Sequence, residues 1–512
     1  MAVPHLPPRR RWTGLSVALV CVATLTGCGT DSAVTVEGRA ISMRFDPNRV
    51  AGLPATDGPS GPRVEAPSAT GRVRDTDDGH IDRTALLAVD DIEDFWRQNY
   101  RAPLPGAFSA VSGLVSVDPD AVGPSVCGVD PGDLAFNAAY CLRADLIVWD
   151  RVDLLPAAEM YFGVLAINGL LAHEYGHAIQ RESGLTNEDT PLLVSEQQAD
   201  CLAGVYLRWV AEGKSSRFSM NTTDALDRVL AGAIAVRDRP PSFNPFGLLP
   251  VEASHGTALD RVSALQQGFD LGAPSCTLID AAEIRQRRGD VPAPLFDPAS
   301  PHSDMAITED ALGSLVGVLN RIFAPAQPPG VRFGVTCGTD PAVYCPGTNT
   351  IELDLPALAA LGTPADENQK VLLQGDNSAI SVVTSRYMLA LQRERDVSIE
   401  GDVAAMRTAC LTGVAQNKMS DSSAPDDSSA SDDSSASDDS SASDSGLVLG
   451  TGDLDEAVSG LLTNGIVASD ASGRRVPSGF TRILAFRVGL GDGDPQSCYQ
   501  RFGAAISGSG NP

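Results

Sequence analysis

Ala172-His-Glu-Tyr-Gly-His177 is followed, nineteen residues after the second histidine, by Glu196-Gln-Gln-Ala-Asp-Cys201. On a helix, His173 and His177 lie one turn apart on the same face. Both imidazoles can then reach one metal ion while Glu174 projects beside them toward a water on that ion. A catalytic zinc takes three protein ligands and leaves its fourth position to water, so a third donor must come from elsewhere, and Glu196 is the candidate. The chain has six histidines in 512 residues, which makes two of them flanking a glutamate at i and i+4 an improbable accident. The stretch Phe162 to Ala172 is nearly all apolar and small, as expected of a helix buried beneath a cleft. Gly176 stands where a larger side chain would crowd the metal, and the spacing to Glu196 permits a helix-loop-helix return.

These residues resemble the bacterial neutral zinc metallopeptidases of the gluzincin type. The resemblance is carried by Ala172 to His177 with Gln180, by Glu196 to Gly204, by Ser254-His-Gly-Thr257 with Arg261, and upstream by Tyr140-Cys141 and the apolar run Leu146 to Trp149 before Asp150. It covers roughly residues 86 to 285. It implies one zinc per chain on His173, His177 and Glu196, Glu174 as general base, and a peptide or protein substrate. It is compatible with a mainly helical, zincin-like α+β domain. The connection between the two metal motifs is shorter than in many family members, which bears on the shape of the cleft.

The residue types themselves indicate the chemistry. Zinc supplies a Lewis acid, and a carboxylate at position 174 can take a proton from water and return it to a leaving amine. Asp200 lies four residues after Glu196, on the same helical face, where it can accept the free ring N–H of a zinc histidine. His255 matches a family position and is a candidate contact to the site, although a histidine in His-Gly-Thr can equally belong to a helix cap.

The first residues point to export. Arg9-Arg10-Arg11 precede the apolar stretch Leu15 to Leu25, which ends in Leu25-Thr-Gly-Cys28, the pattern of a secretory signal with a bacterial lipobox. The expectation is removal of residues 1–27 and lipidation of Cys28, anchoring the chain to the outer face of the cell membrane. The apolar stretch is too short to span a bilayer. A net charge of −27 argues against nucleic acid as a partner, and 43% hydrophobic residues support true cores.

Beyond Cys21 and Cys28, eight cysteines remain: Cys127, Cys141, Cys201, Cys276, Cys337, Cys345, Cys410 and Cys498. An even number in an exported chain suggests disulfides, and eight cysteines allow about 105 connectivities. They fall into two sets of four with similar surroundings. Val126-Cys-Gly-Val-Asp130 matches Thr336-Cys-Gly-Thr-Asp340, and Ala139-Tyr-Cys141 matches Val343-Tyr-Cys345. Tyr175 to Glu182 lines up with Tyr387 to Glu394, and Cys201 to Val205 with Cys410 to Val414. In this register His173 becomes Ser385, Glu174 becomes Arg386, His177 becomes Leu389, Glu196 becomes Ala405 and Asp200 becomes Ala409. The second half therefore reads as a degenerate copy without a metal site. Bonds confined to each copy pair most simply as Cys127 with Cys141, Cys201 with Cys276, Cys337 with Cys345, and Cys410 with Cys498.

The expected organisation is a signal over 1–27, a flexible tether over 28–83 with a short strand in Ala33 to Met43, a metallopeptidase domain over 84–285 and its degenerate copy over 304–512. The tandem of Asp-Asp-Ser-Ser-Ala-Ser at 420–446 reads as a disordered insertion. Each copy should hold an opening helix (Thr84 to Tyr100 in the first), a cysteine-linked strand pair, the metal helix, a ligand helix and two further helices. The competing reading is a non-catalytic envelope lipoprotein that serves as a binding or scaffold module. Glu174 weighs against it, because a purely structural zinc needs no general base and is usually closed by four ligands.

Overall fold

The computed structural model describes residues 33–36, 39–42, 45–238, 255–289, 305–365, 372–421, 449 and 451–503. The fold is mixed α+β, with helices dominating small sheets. Short strands come first: β1 (Ala33–Val36), β2 (Arg39–Ser42), β3 (Arg49–Val50), β4 (Leu53–Pro54), β5 (Gly61–Pro62) and β6 (Val73–Arg74). Next come α1 (His80–Asn99), β7 (Gly113–Val117), β8 (Ala138–Cys141), β9 (Leu146–Asp150), α2 (Leu154–Phe162), α3 (Val164–Ser183) and α4 (Leu192–Ala211). They are followed by β10 (Phe218–Ser219), α5 (Asp224–Ala235), α6 (Ala258–Leu271), α7 (Ala273–Cys276) and α8 (Ala281–Arg287). The second half contains α9 (Glu309–Phe323), β11 (Gly330–Phe333), β12 (Ala342–Cys345), β13 (Thr350–Leu353), α10 (Leu355–Leu361), α11 (Asp376–Glu394) and α12 (Asp402–Asp421). It ends with α13 (Thr451–Thr463), α14 (Gly479–Asp492) and α15 (Pro495–Arg501).

The first sheet has the order β6-β7-β9-β8, with β7 parallel and β8 antiparallel to β9. Leu146-Ile-Val-Trp-Asp150 is buried at every position, as a central strand covered on both faces must be. The second sheet, β11-β13-β12, repeats this pairing, with β11 parallel and β12 antiparallel to β13. Helix pairing also recurs. A Cβ on Gly204 of α4 would strike the Leu265 carbonyl of α6, and one on Gly413 of α12 would strike the Phe486 carbonyl of α14. Only glycine allows two backbones to cross so closely. The cysteines pair as Cys127–Cys141, Cys201–Cys276, Cys337–Cys345 and Cys410–Cys498, with Cα–Cα distances of 5.6, 5.5, 6.0 and 5.7 Å. Cys127 lies in a loop beside β8, not in the strand pair expected there.

Residues 45–79 depart from the expected tether. Val50 is fully buried, β5 pairs with β10, and β6 extends the first sheet. Thr56 and Thr222 exchange backbone-to-hydroxyl bonds of 2.9 and 3.2 Å, and the Arg63 guanidinium donates to the carbonyls of Ser215 and Phe218. Composition reads this segment as a linker because it lacks periodicity, while its partners lie some 150 residues further on. Where one strand was expected in Ala33 to Met43, the described residues form two, β1 paired antiparallel with β2. The opening helix begins at His80, one turn before the expected Thr84. Its first turn is polar, but Asp82 is buried and accepts the Trp149 indole N–H at 2.8 Å. The run Phe162 to Ala172 is broken by Gly163 at φ +81°, so α3 starts at Val164. Cys28, residues 1–27 and the tandem beyond Asp421 lie outside the described residues, and Ser420 and Asp421 close α12.

One buried apolar cluster runs through both halves. Where they meet, each caps a helix of the other. Asp455 of α13 accepts the Leu259 N–H of α6 at 3.0 Å, and Asp227 of α5 accepts the Gly479 N–H of α14 at 2.8 Å. Arg237 lies 3.6 Å from Asp455, and Arg482 lies 3.6 Å from Asp227. Burial pushes the Asp455 carboxyl up to about 7 against the pull of Arg237, and Asp227 up to about 6 against that of Arg482. A carboxyl raised above its ordinary 3.8 contributes stability fully below that value and loses it as pH rises through about 7. Asp455→Asn should therefore melt close to wild type near pH 4 and above it near pH 8. A melting difference that stays flat across that window would count against this assignment.

Candidate metal centre

α3 and α4 pack side by side and bring His173, His177 and Glu196 together, with one ligand atom from each within 4.8 Å of the others. Their close approach depends on Gly176. A Cβ there would lie 2.9 Å from both Cα and the carbonyl of Ala199, so this glycine faces α4 and not, as the sequence suggested, the metal position. The Glu196 carboxylate stands 3.1 Å from His173 Nε2 and 3.5 Å from His177 Nε2. Donors 2.0–2.2 Å from one tetrahedral ion are separated by roughly these distances. Glu196 is buried, with Oε2 nearest His173 Nε2 and Oε1 nearest His177 Nε2, so the carboxylate and the two imidazoles face a common point.

The other ring nitrogens are occupied. His173 Nδ1 is 2.7 Å from Asp200 Oδ1, and Arg261 of α6 grips Asp200 through Nε and Nη2 at 3.0 and 2.9 Å. His177 Nδ1 is 2.9 Å from Gln180 Oε1, whose amide nitrogen donates to the Ser195 carbonyl at 2.6 Å. A carboxylate and an amide oxygen are acceptors, so each Nδ1 carries the proton and each Nε2 presents its lone pair to the common point. Asp200 is thus where the sequence placed it. The roles of Gln180 and Arg261 were missed, although Gln180, three residues from His177, is within helical reach. Arg261 stands 61 residues from Asp200, and no local pattern links them.

Glu174 is buried beside the histidines, and its Oε2 accepts the Tyr140 N–H of edge strand β8 at 2.9 Å. Burial raises its carboxyl above the ordinary range against the pull of the two imidazoles. For His173, burial opposes the charged form, but Asp200 and Glu196 overcome it and lift the ring to about 10, so a metal ion binding there would displace the Nε2 proton and leave the Nδ1 proton on the Asp200 bond. Burial would also raise Glu196, yet both imidazoles hold it well below the usual carboxylate range. His255 sits at the rim, more than half exposed, 4.0 Å from Glu196 and 3.5 Å from Asp238. The helix cap beside it belongs to Thr257, which forms a capping box with Asp260.

The positions that the sequence alignment pairs with these in the second half hold other residues. Ser385, Arg386, Leu389, Ala405 and Ala409 are all buried, and the Arg386 guanidinium donates to the Ile466 carbonyl at 2.6 Å and to Ser469 at 2.8 Å. Cys337 and Cys345, which lie close to Glu352, are bonded to each other. Asp376 and Glu456, which with Asp453 form a further acidic group, accept the backbone N–H groups of Met305 and Asn377.

The fixed tautomers lead to a prediction. Gln180→Ala and Asp200→Ala should each weaken zinc binding about 10–100-fold, because the ring each orients is freed to turn. Competition with a chromophoric chelator measures this, and wild-type affinity in both variants would refute the arrangement. No protein-family model, curated protein or solved structure matches the chain.

Proposed function

We propose that the chain is a zinc-dependent peptidase of zincin-like fold that hydrolyses peptide bonds at the centre formed by His173, His177 and Glu196. The observation that carries this reading is the two locked imidazoles and the buried Glu196 carboxylate converging on one point, with a further carboxylate, Glu174, beside them. A zinc held there supplies a Lewis acid. Glu174 takes the proton from the attacking water and returns it to the leaving amine, and its raised affinity for protons suits both steps. The Tyr140 N–H holds its carboxylate toward the edge of β8. Asp200, clamped by Arg261, keeps the His173 ring from turning during turnover.

The same proposal makes residues 304–512 a degenerate copy of 84–285. Its support is the repeated sheet pairing, the two glycine crossings, the matched cysteine pairs and the reciprocal caps Asp227 and Asp455. Tyr140 and Tyr344 also make like bonds, to Asp145 and Asn349 and to Arg181 and Arg393. Lipidation of Cys28 would hold this enzyme at the outer face of the membrane. Among the described residues no helix is long and apolar enough to cross one. The test is zinc analysis of residues 28–512 together with cleavage of an unbiased peptide library, before and after chelation. One zinc per chain with chelator-sensitive cleavage is expected, and absence of zinc would remove the site assignment.

A further inference from the structure

Beside the metal centre lies a cavity of about 460 Å³ whose polar end is formed by His173, Asp200 and Arg261. The rest is apolar. Tyr161 and Phe162 of α2 form one wall, and Leu372 and Leu373 from the second half contribute to another. Gly169 and Gly232 also line it, with several alanines, so much of the volume exists because side chains are small. A Cβ on Gly232 would have the Ala166 and Phe162 side chains as its nearest neighbours, at 3.7 and 3.8 Å, so a side chain can start there without collision. An apolar cavity of about 150 Å³ holds a benzene ring, and one roughly three times that size exceeds what a single natural side chain fills. It lies within the range of ligand pockets, which are mostly apolar with a few polar groups that fix orientation.

We infer that this cavity binds an aliphatic group of the substrate larger than one side chain. Two sources share that chemistry: a fatty acyl chain on an amine, and consecutive bulky apolar residues of a peptide. The inference rests on the hydrolytic reading of the neighbouring centre, and it gives the second half a function as a wall of the binding site.

The test separates the two readings. Binding of saturated fatty acids from eight to sixteen carbons, and of acetyl-leucinamide and acetyl-dileucinamide, is measured by calorimetry on the chelator-treated full chain, so that neither metal nor turnover contributes. Affinity should rise about fourfold per added methylene until the cavity is full, or by a comparable step between the two amides. Whichever series binds more tightly identifies the source. Gly232→Leu and Ala166→Leu should each weaken the longest probe at least tenfold and leave zinc content unchanged. Leu372→Ala with Leu373→Ala offers a second readout that adds no bulk, and it should also weaken the longest probes. Affinity independent of chain length in both series, or unchanged in all three variants, overturns the inference. Cleavage without chain-length preference would sink the cavity and keep the hydrolase, whereas binding without any cleavage would do the reverse.

Discussion

Glu174→Gln should lower peptide hydrolysis by roughly 10²–10⁴-fold, the usual contribution of a positioned general base, while the chain keeps its zinc. The separation follows from the geometry. In the proposed site, metal affinity would reside in His173, His177 and Glu196 and in the partners that lock the two rings, none of which bonds to Glu174. The glutamine oxygen can still accept the Tyr140 N–H, so β8 keeps its place and the loss isolates proton transfer. Glu196→Gln should behave in the opposite way, losing metal first and activity as a consequence. Comparing kcat/KM with zinc content on the best library peptide reads both. A Glu174→Gln enzyme within threefold of wild type would mean that another group serves as base.

Gly268→Ala should destabilise the protein by about 3 kcal/mol, the upper part of the usual overpacking range. Its Cβ would strike the Cys201 carbonyl, with the Cys201 Cα 3.1 Å away, and a collision with helix backbone cannot be relieved by changing a rotamer. α4 and α6 must move apart. That motion pulls Arg261 from Asp200, so zinc affinity should fall along with stability. Gly489→Ala makes the same collision with the Cys410 carbonyl between α12 and α14, where no ligand is positioned. It should cost similar stability and leave zinc affinity unchanged. Denaturant unfolding with parallel metal titrations measures the pair, and a Gly268→Ala protein within about 0.5 kcal/mol of wild type would refute the helix crossing.

Legibility tracked the range of each interaction. His173, Glu174 and His177 could be read because their relation is one helical turn. Glu196 and Asp200 followed because they too are one turn apart and the connection from α3 is short. The expected strand before Asp150 could be read from a continuous apolar run, whereas β7, with one serine and few residues, gave no signal and was passed over. The first turn of α1 escaped because the burial of Asp82 depends on Trp149. Gly176 was assigned to the metal because sequence shows its neighbours along the helix and not the helix across from it.

The grouping of the proposed ligands and base, the cysteine sets and the alignment of the two halves were read from spacing, and spacing along a helix or between similar motifs is present in the chain itself. Tertiary structure alone decided which ring nitrogen each histidine presents, because Asp200 with Arg261 and Gln180 with Ser195 fix the tautomers from outside the motif. It also turned residues 45–79 from apparent linker into packed chain and placed a cavity between α2, α3 and the second half. Those outcomes depend on groups tens to hundreds of residues apart meeting at hydrogen-bond or van der Waals distance, and only the folded chain sets such distances.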